Sequence, residues 1–184
     1  AALPEVESAG AINVLPLAGD SENWGFAIDG RPAGEAAPAT TMVRNVSPGY
    51  LESMRIRLLD GRTLDGFDRA GSERVVVVSK TMASTYWPGE NPIDRQIRFR
   101  GPAELGALAW RVVGIADDVP GSGLDRAPKP TAYLTHSQWP FRVASMSLAI
   151  RTTTDPTSVV SRVRAEIARV DGDLPIFDVR TMDE

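Results

Sequence analysis

Two neighbouring carboxylates, Asp117 and Asp118, follow an apolar run and are the residues best placed for acid–base work or for holding a divalent cation. On an extended chain adjacent side chains point to opposite faces, so the pair does not converge and reads as separate loop charges. His136 is the single histidine, and Ser137 beside it supplies neither a second metal ligand nor the acid that orients a catalytic imidazole. Gly121-Ser122-Gly123 has no helix start after it and no lysine where a phosphate loop needs one, so it reads as a turn. Ser79-Lys80 has the residue types of a Ser/Lys pair. Helix neighbours stand about 100° apart, however, and the serine reads as a helix cap. The chain has no cysteine, which removes thiol nucleophiles, thiolate ligands and disulfides. It also has no Gly-x-x-x-x-Gly-Lys-Ser/Thr sequence with which to bind ATP. This inventory predicts no enzyme, no cofactor and no metal site.

The aromatic residues offer binding rather than chemistry. Trp87 shares a helical stripe with Ala83, next to Tyr86, and reads as core. Trp139-Pro140-Phe141 has two readings: packed aromatics that fill a hinge, or a docking patch. Trp139 and Phe141 are the candidate partner-binding residues.

The elements that position these residues follow from periodicity. Residues 12–17 and 24–29 read as strands joined by a turn at Gly19-Asp20-Ser21, and residues 30–41 as a loop. Alternation over 41–46 predicts a strand, then a helix capped by Ser47 with Pro48 in its first turn, running to about Met54. Residues 57–62 carry an Asp-Gly turn signature, and 67–73 form a polar connector. Four consecutive valines, 75–78, predict a strand buried on both faces, followed by a helix that Ser79 caps and Pro88-Gly89 ends. Further strands are expected at 97–99, 110–115, 131–135 and 146–151. Asp155-Pro156 opens the clearest helix, with Val159, Val160, Val163, Ile167 and Val170 on one stripe, and 174–180 reads as a last strand. Strand–helix steps with extra strands between them make an α+β fold.

Composition narrows the class. The 184 residues are 42% hydrophobic and 24% charged, enough to bury a core. The net charge is -4, and its 20 basic residues are scattered, so nucleic acid is not a partner. No apolar run approaches the roughly 18 residues of a membrane helix, and the opening Ala1-Ala2-Leu3-Pro4-Glu5 is unlike a signal peptide. Without an initiator methionine, the chain reads as a piece of a longer protein.

Val46-Ser47-Pro48-Gly49-Tyr50-Leu51-Glu52, continuing through Leu58-Leu59-Asp60-Gly61-Arg62, resembles the opening of the MacB-like periplasmic core domain of MacB/FtsX-type ABC-transporter permeases. The landmarks continue in order through Val75-Val76-Val77-Val78-Ser79-Lys80, Tyr86-Trp87-Pro88-Gly89-Glu90-Asn91-Pro92-Ile93 and Trp110-Arg111-Val112-Val113-Gly114-Ile115, and close with residues 173–182. Residues 10–31 are similar to the variant in duplicated orphan permeases of soil bacteria. The resemblance implies a domain inserted between the first and second membrane helices, on the outer side of the inner membrane. It implies two lobes: a porter-like βα sandwich subdomain from residues 1–69 and 142–184, and a second mixed α/β subdomain from 70–141. It also implies a set of partners: the protein's own transmembrane helices, a periplasmic adaptor protein or cargo, and indirectly a cytoplasmic ATPase subunit. The implied role is non-catalytic, passing conformational change to a partner in efflux or mechanotransmission. The alternative is a soluble extracytoplasmic ligand-binding module with its site at the subdomain junction, near residues 128–141.

Overall fold

A computed structural model describes residues 3–17, 23–31, 39–120 and 127–182. Its strands are β1 (Val6–Ile12), β2 (Asn23–Ile28), β3 (Thr40–Val46), β4 (Leu58–Gly61), β5 (Val75–Ser79), β6 (Gln96–Phe99), β7 (Trp110–Ala116), β8 (Thr131–Thr135) and β9 (Ser147–Thr152). Its helices are α1 (Tyr50–Ser53), α2 (Lys80–Tyr86), α3 (Ala103–Gly106) and α4 (Val160–Val170), the last entered through a 3-10 turn, Pro156–Val159. The fold is α+β with a sheet-dominated core, as the periodicity predicts.

β5 shows why. Its valines are fully buried, and alternate side chains leave for opposite faces. Val76 and Val78 join a cluster with Phe26, Val43, Phe99, Trp110 and Leu134. Val75 and Val77 join a second cluster with Ile12, Val46, Tyr50, Val113 and Tyr133. A strand buried on both sides has no polar face, which is how it reads in the sequence.

All nine strands belong to one sheet, in the order β2-β6-β7-β5-β8-β3-β1-β9, with β4 alongside β7. β2 also pairs with β3, so the first six strands of that order close into a ring. The first half of β2 pairs with β3 (Trp24 opposite Thr41), and its second half with β6 (Phe26 opposite Phe99). The first cluster draws a residue from each of these strands, as the interior of a small barrel must. Trp87, just after α2, and Leu105 on α3 add to it from the flanks.

Several local expectations change. The first strand occupies 6–12 rather than 12–17, and beyond Ile12 the chain turns, with Leu17 at φ 65°. The small residues Ser8 to Ala11 hide its alternation, and Gly10 among them is where α1 presses closest. A Cβ on Gly10 would sit 2.3 Å from Tyr50 Cα. Ser47 does not cap α1; its hydroxyl accepts from Ala11 N at 2.8 Å, and Gly49, at φ 82°, occupies the cap position. Residues 58–61 form a strand on β7, bulged between Leu58 and Asp60, where the Asp-Gly pair suggests a turn. A short helix, α3, lies between β6 and β7, where the periodicity predicts no element. Residues 174–180 pair with no strand among the described residues, and Phe177 and Val179 are exposed. The stripe before them is also open: only Val159 is buried, and Val170 is 89% exposed. The turn expected at residues 19–21, most of the 30–41 loop and Gly121-Ser122-Gly123 lie outside the described residues.

The polar connector is built, not slack. Arg62 donates to both oxygens of Asp68, at 2.7 and 2.8 Å, and Asp68 also accepts from Asp65 N. Gln138 ties the far end of the connector to β5, donating to Ser72 Oγ and Glu73 O and accepting from Val75 N. Burial pushes the Asp68 carboxyl up, but the Arg62 bond and the Asp65 amide outweigh it and hold it below the usual carboxylate value.

Two outcomes follow from this packing. Gly10→Ala is expected to cost about 1–3 kcal/mol in urea unfolding, because backbone must move, whereas Gly66→Ala, with nothing nearby, stays within about 0.5 kcal/mol. A depressed carboxylate stabilises the fold fully above its unfolded pKa near about 4 and loses that contribution as pH falls through the lower folded value. The gap in urea midpoint between the wild type and Asp68→Asn should therefore be wide at neutral pH and close below about pH 4. An unchanged gap would remove Asp68 as the cause.

Candidate functional site

The residues with chemical potential are each taken up by structure. Asp117 pairs with Arg57 at 3.0 Å, while Asp118 accepts from Thr81 N at 2.9 Å and Thr81 Oγ1 at 2.8 Å in the first turn of α2. The two carboxylates thus face different elements, as the extended backbone requires. The amide of Asp118 and Arg57 both stabilise the Asp117 carboxylate, lowering its pKa. Ser79 accepts from Met82 N at 3.1 Å and so caps α2; the same oxygen accepts from Thr131 N at 3.1 Å, stitching β8 to the cap. The His136 ring is exposed, with Nδ1 3.3 Å from Val46 O. No group of three or more metal-ligating side chains gathers among the described residues.

The aromatic corner is where side chains do converge. β2 presents Trp24, β6 presents Phe99 and β7 presents Trp110, and the chain after β8 brings Trp139 down on all three. Trp139 meets Trp24 edge-on at 5.3 Å, Phe99 at 5.7 Å and Trp110 at 6.2 Å, and is 8% exposed. These are the edge-to-face and tilted separations at which aromatic quadrupoles attract. Phe141 stacks on Trp24 at 5.9 Å and touches Trp139 at 5.7 Å, but stays 37% exposed. Arg74 lies over Trp110 at 5.9 Å, closing the inner end with a cation–π contact.

The two candidate residues therefore hold different positions: Trp139 fills the ring, and Phe141 reaches the surface on a platform of two indoles. Sequence reasoning missed Trp24. It lies on a short strand far from Trp139 in the chain, and the pairing of that strand with both β3 and β6 brings the two together. The Trp87 reading holds, since the ring is buried against the first cluster.

The profile of the MacB-like periplasmic core domain family matches residues 1–170. No curated protein sequence matches the chain. Among solved structures, the fold is similar to the periplasmic region of MacB from Actinobacillus actinomycetemcomitans, with a TM-score of 0.59 and 16% identity over 92% of this chain and 70% of that one. It is similar also to the extracellular domain of the ABC-type transporter YknZ from Gram-positive bacteria, with a TM-score of 0.59 and 15% identity over 92% of this chain and 78% of that one. A domain of a permease protein from Porphyromonas gingivalis gives a TM-score of 0.55 and 16% identity over 95% of this chain and 68% of that one. Among the described residues no helix is long and apolar enough to cross a membrane. With the profile spanning nearly the whole chain and the fold shared with these transporter domains, the chain belongs to the family of MacB-like periplasmic core domains of ABC-transporter permeases.

Proposed function

We propose that this domain stands outside the cytoplasmic membrane as an insert of a permease, where it binds a partner protein or cargo and passes movement to it without catalysis of its own. The observation that carries the reading is the family match over residues 1–170. Two structural features support it. A ring of paired strands filled with aromatic rings resists deformation, which suits a part that transmits displacement. β1 and β9, the first and last strands, lie side by side over six registered residue pairs, as suits a domain held between two membrane helices. An ATPase in the cytoplasm would supply the energy, and the membrane helices would couple it to the domain.

Phe141 is the surface residue proposed to meet the partner, with Trp139 beneath it as support. An exposed ring fixed by stacking loses little entropy on docking, and aromatic residues dominate binding energy at interfaces. The division into a subdomain of residues 1–69 with 142–184 and a second of 70–141 is retained as part of the proposal.

The chain has no cysteine, so location is directly testable. A Ser84→Cys substitution on the exposed face of α2, in the full-length permease, should react with a membrane-impermeant maleimide in intact spheroplasts. Reaction only after lysis would place the domain inside the cell and end the proposal. For the docking residue, Phe141→Ala should abolish crosslinking to the partner while costing only about 1–2 kcal/mol of stability, for the lost stack on Trp24 and edge contact with Trp139. Trp139→Ala should cost about 3–5 kcal/mol of stability through the cavity it leaves. Unchanged crosslinking by Phe141→Ala would move the docking surface elsewhere.

A further inference from the structure

The end of the ring that presents Phe141 also presents charge. Arg100, the residue after β6, donates its amide to Gly25 O at 2.7 Å, which fixes it beside Trp24. Its side chain runs over the start of β2: a Cβ on Gly25 would sit 3.4 Å from Arg100 Cδ, and one on Gly101 would sit 3.2 Å from the Trp24 ring. Arg142 follows Phe141 directly. Both arginines are exposed, and neither makes an ion pair or a side-chain hydrogen bond among the described residues.

Other arginines of the same strands are answered by acids of this chain. Arg98, two residues before Arg100, donates to both oxygens of Asp29, and Arg111 on β7 donates to Glu73 and Asp94. The carboxylate nearest Arg100 in the chain, Glu104 on α3, pairs with neither corner arginine among the described residues. Around Arg142 the sequence holds no carboxylate at all from 126 to 154. Two guanidiniums without a local acid therefore stand beside a ring that is 37% exposed and held by its stack on Trp24. Fixed aromatic rings and arginines are the residue types that protein interfaces favour over the rest of the surface. A guanidinium is weakly hydrated, and its planar fork matches a carboxylate through two parallel hydrogen bonds.

We infer that the surface at Phe141 is matched to an acidic protein segment, with an apolar side chain of the partner on the Phe141 ring and carboxylates beside it on Arg100 and Arg142. The inference rests on the docking role proposed for Phe141 above and adds the chemistry of the partner. A basic segment would be repelled by both arginines, and a neutral one would leave their charge unanswered at the rim of the contact. A bilayer surface calls for a broad apolar face, whereas here one ring reaches solvent, with Trp139 buried beneath it.

The test follows the fluorescence anisotropy of a labelled peptide, Glu-Asp-Leu-Phe-Asp-Glu, titrated with the 184-residue chain, with Gln-Asn-Leu-Phe-Asn-Gln as the neutral control. The acidic peptide should bind saturably, lose about tenfold in affinity between about 20 and 200 mM salt, and bind at least about tenfold more tightly than the neutral one. Arg100→Glu combined with Arg142→Glu should keep the wild-type melting temperature, since both side chains are exposed and unpaired, and weaken the acidic peptide at least about tenfold. Arg55→Glu combined with Arg164→Glu changes the net charge equally at other exposed arginines and should bind as the wild type does. No saturable binding up to about 1 mM, equal binding of the neutral peptide, or equal loss in the two double variants overturns the inference. So does binding to phosphatidylglycerol vesicles without binding to the peptide. In the full-length permease the Arg100→Glu, Arg142→Glu pair should abolish the same partner crosslink as Phe141→Ala. Loss of the crosslink in Phe141→Ala alone would leave the docking role standing and overturn only the acidic partner, whereas a crosslink unchanged in both would overturn the two together.

Discussion

Half of one short strand pairs to the left and half to the right, and the rest of the structure depends on that division. β2 gives residues 23–25 to β3 and residues 26–28 to β6, with Arg100 N reaching Gly25 O at 2.7 Å and Phe26 N reaching Ala39 O at 2.9 Å. Without it the sheet would have two open edges, each a row of unmet amides and carbonyls. With it the six strands close, and the apolar residues on their inner faces gain an enclosed volume to fill. Trp24 rides on the same strand, so the closure that pairs the backbone also delivers one of the rings that Trp139 packs against.

A closed ring leaves its outer face to differentiate. On one part of it β1 and α1 cover the sheet, and the two glycines at their contact allow a backbone approach that no side chain would permit. Elsewhere Gln138 and Asp68 tie the connector down through buried hydrogen bonds, which is why so polar a segment is ordered. Among the described residues the large apolar side chains left exposed are scattered at Leu17, Leu59, Phe67, Phe141 and Leu148, and gather in the last part of the chain, where Val170, Leu174, Phe177, Val179 and Met182 stand in solvent.

The parts of this fold that were legible in the sequence are those decided locally. Val75–Val78, the Ser79 cap, the Trp87 burial and the separation of Asp117 from Asp118 all follow from neighbours within a turn or two. Misreadings arose where distant chain decided the outcome. Ser47 has the chemistry of a cap but spends it on Ala11 N, across 36 positions. Asp60-Gly61 has the chemistry of a turn but lies on β7 because Gly61 meets Gly114 there. Residues 174–180 have the alternation of a strand but pair with no strand among the described residues. The candidate pair was half legible: aromatic types flagged Trp139 and Phe141, while their separation into filler and surface ring needed Trp24, which no local pattern connects to them.

Native-state hydrogen exchange across a denaturant series tests the ring most directly. If β2 closes it, the amides of Phe26 and Arg100 will exchange only through global unfolding, in one class with the amides of β5 and β7, while those of α4 exchange earlier by local opening. Exchange of Phe26 and Arg100 through a smaller opening, with β5 and β7 still protected, would mean that β2 is a detachable edge and that the ring is not the unit on which the structure depends.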